Sequence, residues 1–306
     1  MNTDFIPVTL DLYDDYMAFF HAAPRRSADY TFTNLWGWAE YYGLSLSLRD
    51  DLCWIRQNRP LPRMWAPVGD WTQADWEKHP EIRAGVALHR VPDELAATLK
   101  ERLGEERIEA EATREQWEYL YSREELATLS GNKFHKKKNL VNQYRKLYGI
   151  DYRSLDIREN PSGLEDVLQL QEEWCRWRDC GNSPSLQAES DVIFRVVGNW
   201  ARLPGLMGGS LYVENRMVAF TIGEPLDENS LVLHFEKVQP DYKGVYQAIN
   251  NAFAQHAPEQ FTTLNREQDM GEEGLRQAKE TYNPTGFLQK SVVKVGAALK
   301  PESING

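Results

Sequence analysis

The chain has 306 residues, which is enough for one large domain or for two domains of ordinary size. Its composition, 42% hydrophobic and 26% charged, is ordinary for a globular protein and excludes a disordered one. The formal net charge of −11 argues against a general nucleic-acid binder, so any phosphate-binding role must be local.

The three cysteines are Cys53, Cys175 and Cys180, and this odd, low count without ligand-like spacing predicts buried thiols in a reducing compartment. The six histidines show no paired spacing either, so we expect no metal site. Residues 1–16 lack a basic region followed by an apolar one, which predicts no secretory signal. No apolar run approaches the ~18 residues that a membrane helix needs. We therefore expect a cytoplasmic protein with no integral membrane segment.

The first half of the chain alternates predicted strands and helices. In chain order these are a strand over 5–10, helices over 11–21 and 31–42, a hairpin over 44–57, a strand over 86–90, a helix over 92–103, a strand over 108–112 and a short helix over 114–120.

A basic helix is predicted next, over residues 133–148. Residues 126–150 contain no acidic residue, and their cations are Lys133, Lys136, Lys137, Lys138, Arg145 and Lys146. Apolar residues recur at helical spacing on one stripe: Leu140, Val141, Tyr144, Leu147 and Tyr148. The polar face is either a contact for phosphate groups or an ordinary solvated surface.

The second half repeats a similar order of elements. It contains a strand over 151–157, helices over 161–178 and 188–201, strands over 210–214, 217–224 and 230–238, a helix over 243–257, a strand over 261–264, a helix over 272–282 and a strand over 286–295. The similar order suggests a duplication into domains 1–130 and 131–306. Each is expected to be α+β, with a mixed, mostly antiparallel sheet flanked by helices.

This element order resembles the GNAT acyltransferase fold, and four segments narrow the resemblance. GNKFHKKKN (131–139), LHFEKV (233–238), YKGVYQAIN (242–250) and LNREQDMGEEGLRQAKETYNP (264–284) resemble a bacterial family similar to the C-terminal catalytic domain of phosphatidylglycerol lysyltransferase. That family is similar in architecture to the Fem-type aminoacyltransferases. The resemblance implies two fused GNAT-like domains, with the working site in the second, and transfer of an aminoacyl group to an amine or hydroxyl acceptor.

The resemblance also implies where the donor binds. In GNAT enzymes, backbone amides between the fourth strand and the next helix hold the pyrophosphate of acyl-CoA; here Lys243 and Ala248 match that loop, but Tyr246 replaces its middle glycine. Glycine allows the backbone to approach the pyrophosphate closely, and a tyrosine at this position argues against coenzyme A binding. Aminoacyl-tRNA is therefore the expected co-substrate and acyl-CoA the alternative. Neither is expected as a tightly bound cofactor. Lys243, Gly244 and Tyr246 would line this donor site, and the basic helix would add Lys137 and Lys138 against a tRNA acceptor end or coenzyme A.

Strand 230–238 carries the first catalytic candidate. Alternation places His234 and Glu236 on one face. A partly desolvated carboxylate near the end of a central strand can act as general base on an attacking amine, which is the role expected for Glu236. The alternative is an ion pair that fixes the sheet edge.

The polar run 265–269 follows the next predicted strand, at the edge of a sheet where α/β folds usually place their chemistry. Alternation directs Asn265, Glu267 and Asp269 one way and Arg266 the other way. We expect Arg266 to bind a carboxylate or phosphate, and Glu267 or Asp269 an ammonium, with Asn265 beside them. Asp269 is the alternative base, and a solvated turn is the alternative structure.

Lys279 and Tyr282 lie three residues apart and therefore on one face of the following helix. Lys279 is expected to hold substrate. Tyr282 is expected to protonate the leaving group, as tyrosine often does in GNAT enzymes, unless it is only a packed side chain. A non-catalytic binding module on the same fold is a further hypothesis, because a fold does not determine a function.

Overall fold

The computed structural model describes residues 5–49, 51–156 and 161–297. Its helices are α1 (Tyr13–Ala22), α2 (Phe32–Tyr42), α3 (Asp93–Leu103), α4 (Arg123–Thr128), α5 (His135–Tyr148), α6 (Pro161–Arg178), α7 (Pro184–Gly198), α8 (Val245–His256) and α9 (Glu273–Glu280). Its strands are β1 (Ile6–Pro7), β2 (Ser45–Leu48), β3 (Leu52–Gln57), β4 (Arg63–Trp65), β5 (Val68–Gly69), β6 (Ala87–Pro92), β7 (Ile108–Ala112), β8 (Glu118–Ser122), β9 (Asp151–Leu155), β10 (Met207–Val213), β11 (Arg216–Pro225), β12 (Ser230–Val238), β13 (Thr263–Asn265), β14 (Gly286–Leu288) and β15 (Lys290–Val295).

The chain folds into two compact units, and neither is one continuous stretch. The first unit comprises the described residues within 1–30, 38–117 and 288–306, and the second comprises those within 31–37 and 118–287. The expected boundary at 130/131 does not coincide with this division. Strand β8 lies before that boundary, yet it pairs with β13 in the sheet of the second unit.

The first unit contains a sheet in the order β1-β2-β3-β4-β6-β15-β7, with β5 paired to β3. Its pairings are antiparallel apart from the parallel pair β4–β6. A buried ion cluster lies in this unit, where the Asp29 carboxylate accepts hydrogen bonds from both Arg90 and Lys290. Lys290, on β15, is fully buried.

The second unit contains a sheet in the order β14-β8-β13-β12-β11-β10-β9. Strands β12 and β13 are parallel, and the pairs β8–β13, β11–β12, β10–β11 and β9–β10 are antiparallel. The predicted α+β class, with two mixed and mostly antiparallel sheets, is therefore confirmed.

Helix α8 packs on the sheet of the second unit and against α5. Its buried residues Val245 and Ile249 join Tyr144 of α5 and Val238 of β12 in one apolar cluster. Gly244, just before α8, has φ +83°, and a Cβ there would lie 2.4 Å from the Leu140 carbonyl oxygen of α5. Glycine is needed here because the backbones of α5 and α8 approach each other closely.

Several expected elements are corrected. The helix expected over 114–120 is a 3-10 turn, Arg114–Gln116, followed by strand β8. The strand expected over 286–295 is divided into β14 and β15, which belong to different sheets. Cys175 and Cys180 form a disulfide rather than free thiols, while Cys53 is free and buried.

In the part of the chain that the structure describes, no helix combines the length and the apolar character needed to cross a membrane.

Candidate functional site

The candidate site lies in the second unit, where β12 and β13 stop pairing. The two strands pair only from Ser230–Thr263 to Val232–Asn265. Beyond that point Glu236 of β12 accepts a hydrogen bond from Arg266, with Nη2 and Oε1 3.0 Å apart. Each side chain is only 14% exposed. The ion pair therefore joins the two strands where the backbone ladder has ended.

Two tyrosines lie against this ion pair. The Arg266 guanidinium carbon is 5.1 Å from the ring centroid of Tyr282 and 5.8 Å from that of Tyr121. Burial raises the pKa of the Tyr282 hydroxyl, and the nearby Arg266 charge only partly offsets it. Tyr282 thus stays protonated at neutral pH and can give a proton to a reacting oxygen.

The basic helix α5 reaches the site through Lys137. Its Nζ lies 4.0 Å from the Tyr282 ring centroid and donates to Thr281 Oγ1 at 2.8 Å. Burial and the Arg266 charge lower the pKa of Lys137. Lys138 and Lys243 are exposed side chains on α5 and just before α8.

Helix α8 borders the same cluster with its first turn. Tyr246 is 41% exposed, and burial raises the pKa of its hydroxyl, with a smaller contribution from the Glu236 charge. Gln247 interacts with the Tyr282 hydroxyl. The structure therefore brings Tyr246 together with the candidates Glu236, Arg266, Tyr282 and Lys137.

Two further polar side chains next to the cluster were missed by sequence reasoning. Thr221 of β11 is the direct cross-strand neighbour of Glu236 and is fully buried, and Asn250 of α8 is 2% exposed. Within the described part of the chain, Thr221 Oγ1, Glu236 Oε2 and both amide atoms of Asn250 have no hydrogen-bond partner. The sequence signal that could have identified Thr221 and Asn250 is a polar residue inside an otherwise apolar strand or helix face.

Asp269 is buried and fully bound by the protein. Arg276 donates to Oδ2 at 2.8 Å and to Oδ1 at 3.0 Å, the Tyr119 hydroxyl donates at 2.7 Å, and the Gly271 amide donates at 2.9 Å. Burial alone would raise the pKa of this carboxyl, but these hydrogen bonds hold it well below its usual range. This geometry argues against the expected alternative role of Asp269 as general base.

Glu267 is also engaged within the protein. Its Oε1 accepts hydrogen bonds from Asn34 Nδ2 and from His234 Nδ1, each at 2.8 Å, and His234 Nε2 lies 2.9 Å from Glu224 Oε1. His234 has no partner in the β11–β12 register, since Phe235 pairs with Ile222 and Leu233 with Gly223. This β-bulge breaks the strict alternation that put His234 and Glu236 on one face.

The alternation expected across 265–269 does not occur either. Strand β13 ends at Asn265, and Glu267 has φ +54°. Asn265 donates to Glu118 and accepts the Glu267 amide at 2.9 Å, while the buried Lys279 ammonium donates to the carbonyls of Arg266 and Gln268. Asn265 and Lys279 therefore hold the 265–269 segment in shape.

The family model described as phosphatidylglycerol lysyltransferase, C-terminal, matches residues 20–294. A conserved protein of unknown function from Bacteroides thetaiotaomicron has a solved structure with 31% identity and a TM-score of 0.83, covering 96% of this chain and 99% of that chain. L-PGS from Bacillus licheniformis has 14% identity and a TM-score of 0.61, covering 94% and 93%. FemX has 9% identity and a TM-score of 0.57, covering 95% and 97%.

A curated relative, an uncharacterized protein of Mycoplasmoides gallisepticum, is 27% identical over 180 residues. That match spans 58% of this chain and only 56% of the relative. At their low identities L-PGS and FemX show the fold alone, and with them the predicted tandem GNAT-like fold is confirmed.

Proposed function

The chain belongs to the phosphatidylglycerol lysyltransferase C-terminal family, and on this premise we propose that it transfers an aminoacyl group from aminoacyl-tRNA to an amine or hydroxyl acceptor. Membership of this family supports the transferase class. The observation that carries the proposal is the Glu236–Arg266 pair beside Tyr282, because it combines a proton acceptor, a cation and a proton donor in one partly buried cluster.

The proposed reaction is a direct attack without a covalent enzyme intermediate. The acceptor nitrogen or oxygen forms a bond with the carbonyl carbon of the donor ester, and the acceptor proton passes to Glu236 Oε2. The ester C–O bond then breaks, and the leaving oxygen takes a proton from Tyr282. Proton return from Glu236 to Tyr282 through solvent restores the enzyme. Positioning supplies most of the rate, because the ester is already activated.

Donor phosphates are assigned to the basic side of the cluster. Lys137 already contacts Tyr282, and Lys138 and Lys243 are exposed cations on α5 and before α8. The N-terminus of α8 at Gly244 adds the positive end of a helix dipole. These groups suit the phosphates of a tRNA acceptor end, while Tyr246 would contact the nucleotide or acyl portion.

The remaining predicted residues receive positioning roles in this proposal. Asn265, Glu267 and Lys279 hold the segment that carries Arg266, and Asp269 anchors its far end. Glu236 is the base that we propose, since Asp269 already accepts four hydrogen bonds from the protein.

The test is calorimetric titration with charged tRNA, uncharged tRNA and coenzyme A, together with a transfer assay from labelled aminoacyl-tRNA. We expect salt-sensitive binding of charged tRNA that the Lys137→Ala/Lys138→Ala variant weakens. The Arg145→Ala/Lys146→Ala variant removes equal charge further along α5 and controls for net charge. Micromolar binding of coenzyme A without preference for charged tRNA would instead identify an acyl-CoA enzyme.

A Glu236→Gln variant separates an enzyme from a binding module. The substitution keeps the size of the side chain but removes the base, so transfer is expected to fall by roughly 10²–10⁴-fold while donor binding survives. Binding of charged tRNA by the wild-type protein without any transfer, across a broad set of acceptors, would favour the module.

A further inference from the structure

The sheet and α8 present buried polar groups that the protein leaves without a partner. Thr221 and Glu236 are direct cross-strand neighbours on β11 and β12, so their side chains project on the same face of the sheet. Thr221 is fully buried, and its hydroxyl oxygen, like Glu236 Oε2, has no partner in the described ranges. Glu236 Oε1 is held by Arg266, which leaves Oε2 as the carboxylate's available acceptor.

Asn250 extends this group from the helix side. It follows Tyr246 and Gln247 by four and three residues, so the three side chains form one strip of α8. Tyr246 interacts electrostatically with Glu236, and Gln247 with Tyr282. Asn250 therefore lies one turn further along the strip that borders the cluster, and both of its amide atoms are buried without a partner among the described residues.

Burying these groups without hydrogen bonds carries a free-energy cost that a bound molecule would remove. The available atoms are three oxygen acceptors, namely Glu236 Oε2, Thr221 Oγ1 and Asn250 Oδ1, together with the donors on the Thr221 hydroxyl and on Asn250 Nδ2, which carries two N–H groups. A hydroxyl has one hydrogen and can satisfy one of these oxygens. An amino group has two or three hydrogens and can satisfy several at once, while a carbonyl beside it accepts from Nδ2.

We propose that Thr221, Asn250 and Glu236 form a subsite for the attacking amino group, so that the acceptor is a primary amine rather than an alcohol. This inference rests on the proposed transferase function. The Glu236 carboxylate alone would favour the ammonium form of an amine, and the nearby Arg266 and Lys137 cations oppose that effect and so favour the neutral, nucleophilic form. Glu236 takes the amine's proton as the C–N bond forms, and the ester oxygen leaves with a proton from Tyr282.

The experiment uses a panel of primary amines and their hydroxyl twins, namely N-acetyl-lysinamide, phosphoethanolamine and glucosamine, each against the analogue with hydroxyl in place of the amine. Binding is followed by ligand-detected NMR, and transfer from labelled aminoacyl-tRNA is measured in the same samples. Wild-type protein should prefer at least one amine over its twin by roughly tenfold or more. Thr221→Val and Asn250→Leu should each reduce that preference by roughly tenfold.

Tyr144→Phe is the matched control, because it also removes a buried hydroxyl without a described partner, but from the apolar cluster between α5 and α8. It should leave the amine preference unchanged. Thr221→Val and Asn250→Leu should also raise the melting temperature, since they remove unsatisfied polar groups. If Asn250→Leu does not fold, Thr221→Val and the wild-type panel still decide the question.

Equal binding of amine and hydroxyl twins, or binding of neither, overturns the subsite. So does an amine preference that both variants retain. If transfer to a hydroxyl acceptor proceeds in the same samples, the proposed function survives and only the subsite fails. The α-amino group of the aminoacyl donor is tested separately, by acetylating it. If only this acetylation abolishes the amine preference, the subsite binds the amino group of the donor and not that of the acceptor, and the proposal is overturned.

Discussion

His234 lies between two carboxylates, with Nδ1 2.8 Å from Glu267 Oε1 and Nε2 2.9 Å from Glu224 Oε1. Since a carboxylate only accepts, both ring nitrogens donate and the imidazole is charged. Burial alone would lower the pKa of His234, but the hydrogen bonds to Glu224 and Glu267 raise it to about 9. A buried imidazolium thus anchors the segment that carries Arg266.

The first prediction concerns stability against pH. The pKa of His234 is about 9 when folded, against 6.5 for the free side chain, so its contribution is complete below 6.5 and is lost as pH rises through 9. The contribution is on the order of 3 kcal/mol. His234→Gln should abolish this fall in unfolding free energy, measured by denaturant titration from pH 6 to pH 10.

The titration of Lys279 changes stability with pH in the opposite direction, so its contribution must be separated from that of His234. Burial, and then the Arg266 charge, lower the pKa of Lys279 to about 8, so stability rises with pH between 8 and its free value of 10.5. The difference between wild type and His234→Gln cancels this contribution. An identical pH slope in both proteins would contradict the charged state of His234.

The second prediction distinguishes Asp269 from Glu236. Asp269→Asn should lower the unfolding free energy by about 2–3 kcal/mol, because the charge-assisted hydrogen bonds from Arg276 weaken. The pH dependence of the transfer rate should stay the same, since the proposed proton acceptor is unchanged. Denaturant unfolding and single-turnover rates measure the two effects. A stable Asp269→Asn protein with a rate as low as that of Glu236→Gln would instead make Asp269 the base.

The third prediction tests the close approach of α5 and α8. Gly244→Ala places a Cβ 2.4 Å from the Leu140 carbonyl oxygen at a φ of +83°, and should cost roughly 2–3 kcal/mol. Gly274→Ala is the control, because nothing lies within 4 Å of its Cβ position. It should be neutral or stabilising by about 0.4–1 kcal/mol. Thermal unfolding of the two variants compares them, and equal melting temperatures would refute the contact.

The fourth prediction concerns the ion cluster of the first unit. Burial alone would raise the pKa of Asp29, but Arg90 and Lys290 lower it, so its stabilising contribution is lost as pH falls. Asp29→Asn removes the carboxylate charge that pairs with the fully buried Lys290 and should cost about 3–5 kcal/mol. Lys290→Met removes the buried cation together with its desolvation cost and should cost less. Urea unfolding at pH 7 ranks the two variants, and the reverse order would contradict the cluster.

Local periodicity was enough to predict much of this fold. The basic helix α5 was predicted from its 3.6-residue pattern and lies within one turn of its expected bounds. Strand β12 was predicted from its two-residue pattern and has the bounds expected for it. Strand β8 was mistaken for a helix because five residues of mixed polarity carry little pattern. Its strand conformation depends on pairing with β13, which lies far along the chain.

The candidate site was also predicted only in part. Glu236, Arg266, Tyr282 and Lys137 were predicted and come together in the structure. The protein partners of Asp269 were not predicted, because a polar residue after a strand looks the same whether solvent, substrate or Arg276 meets it. Thr221 was missed because its position beside Glu236 depends on strand register, which sequence spacing does not reveal.

Strand β15 lies between β6 and β7 in the first sheet, although it is the last strand in the described part of the chain. During ribosomal synthesis β6 and β7 emerge long before β15, so the place between them in this sheet stays open until β15 has been made. The strands β8 to β14 of the second sheet all emerge earlier than β15. Strands β8 to β13 of the second sheet can therefore pair before the first sheet is closed, opposite to the N-to-C order in which domains usually mature, and the nascent first sheet exposes two unpaired strand edges meanwhile.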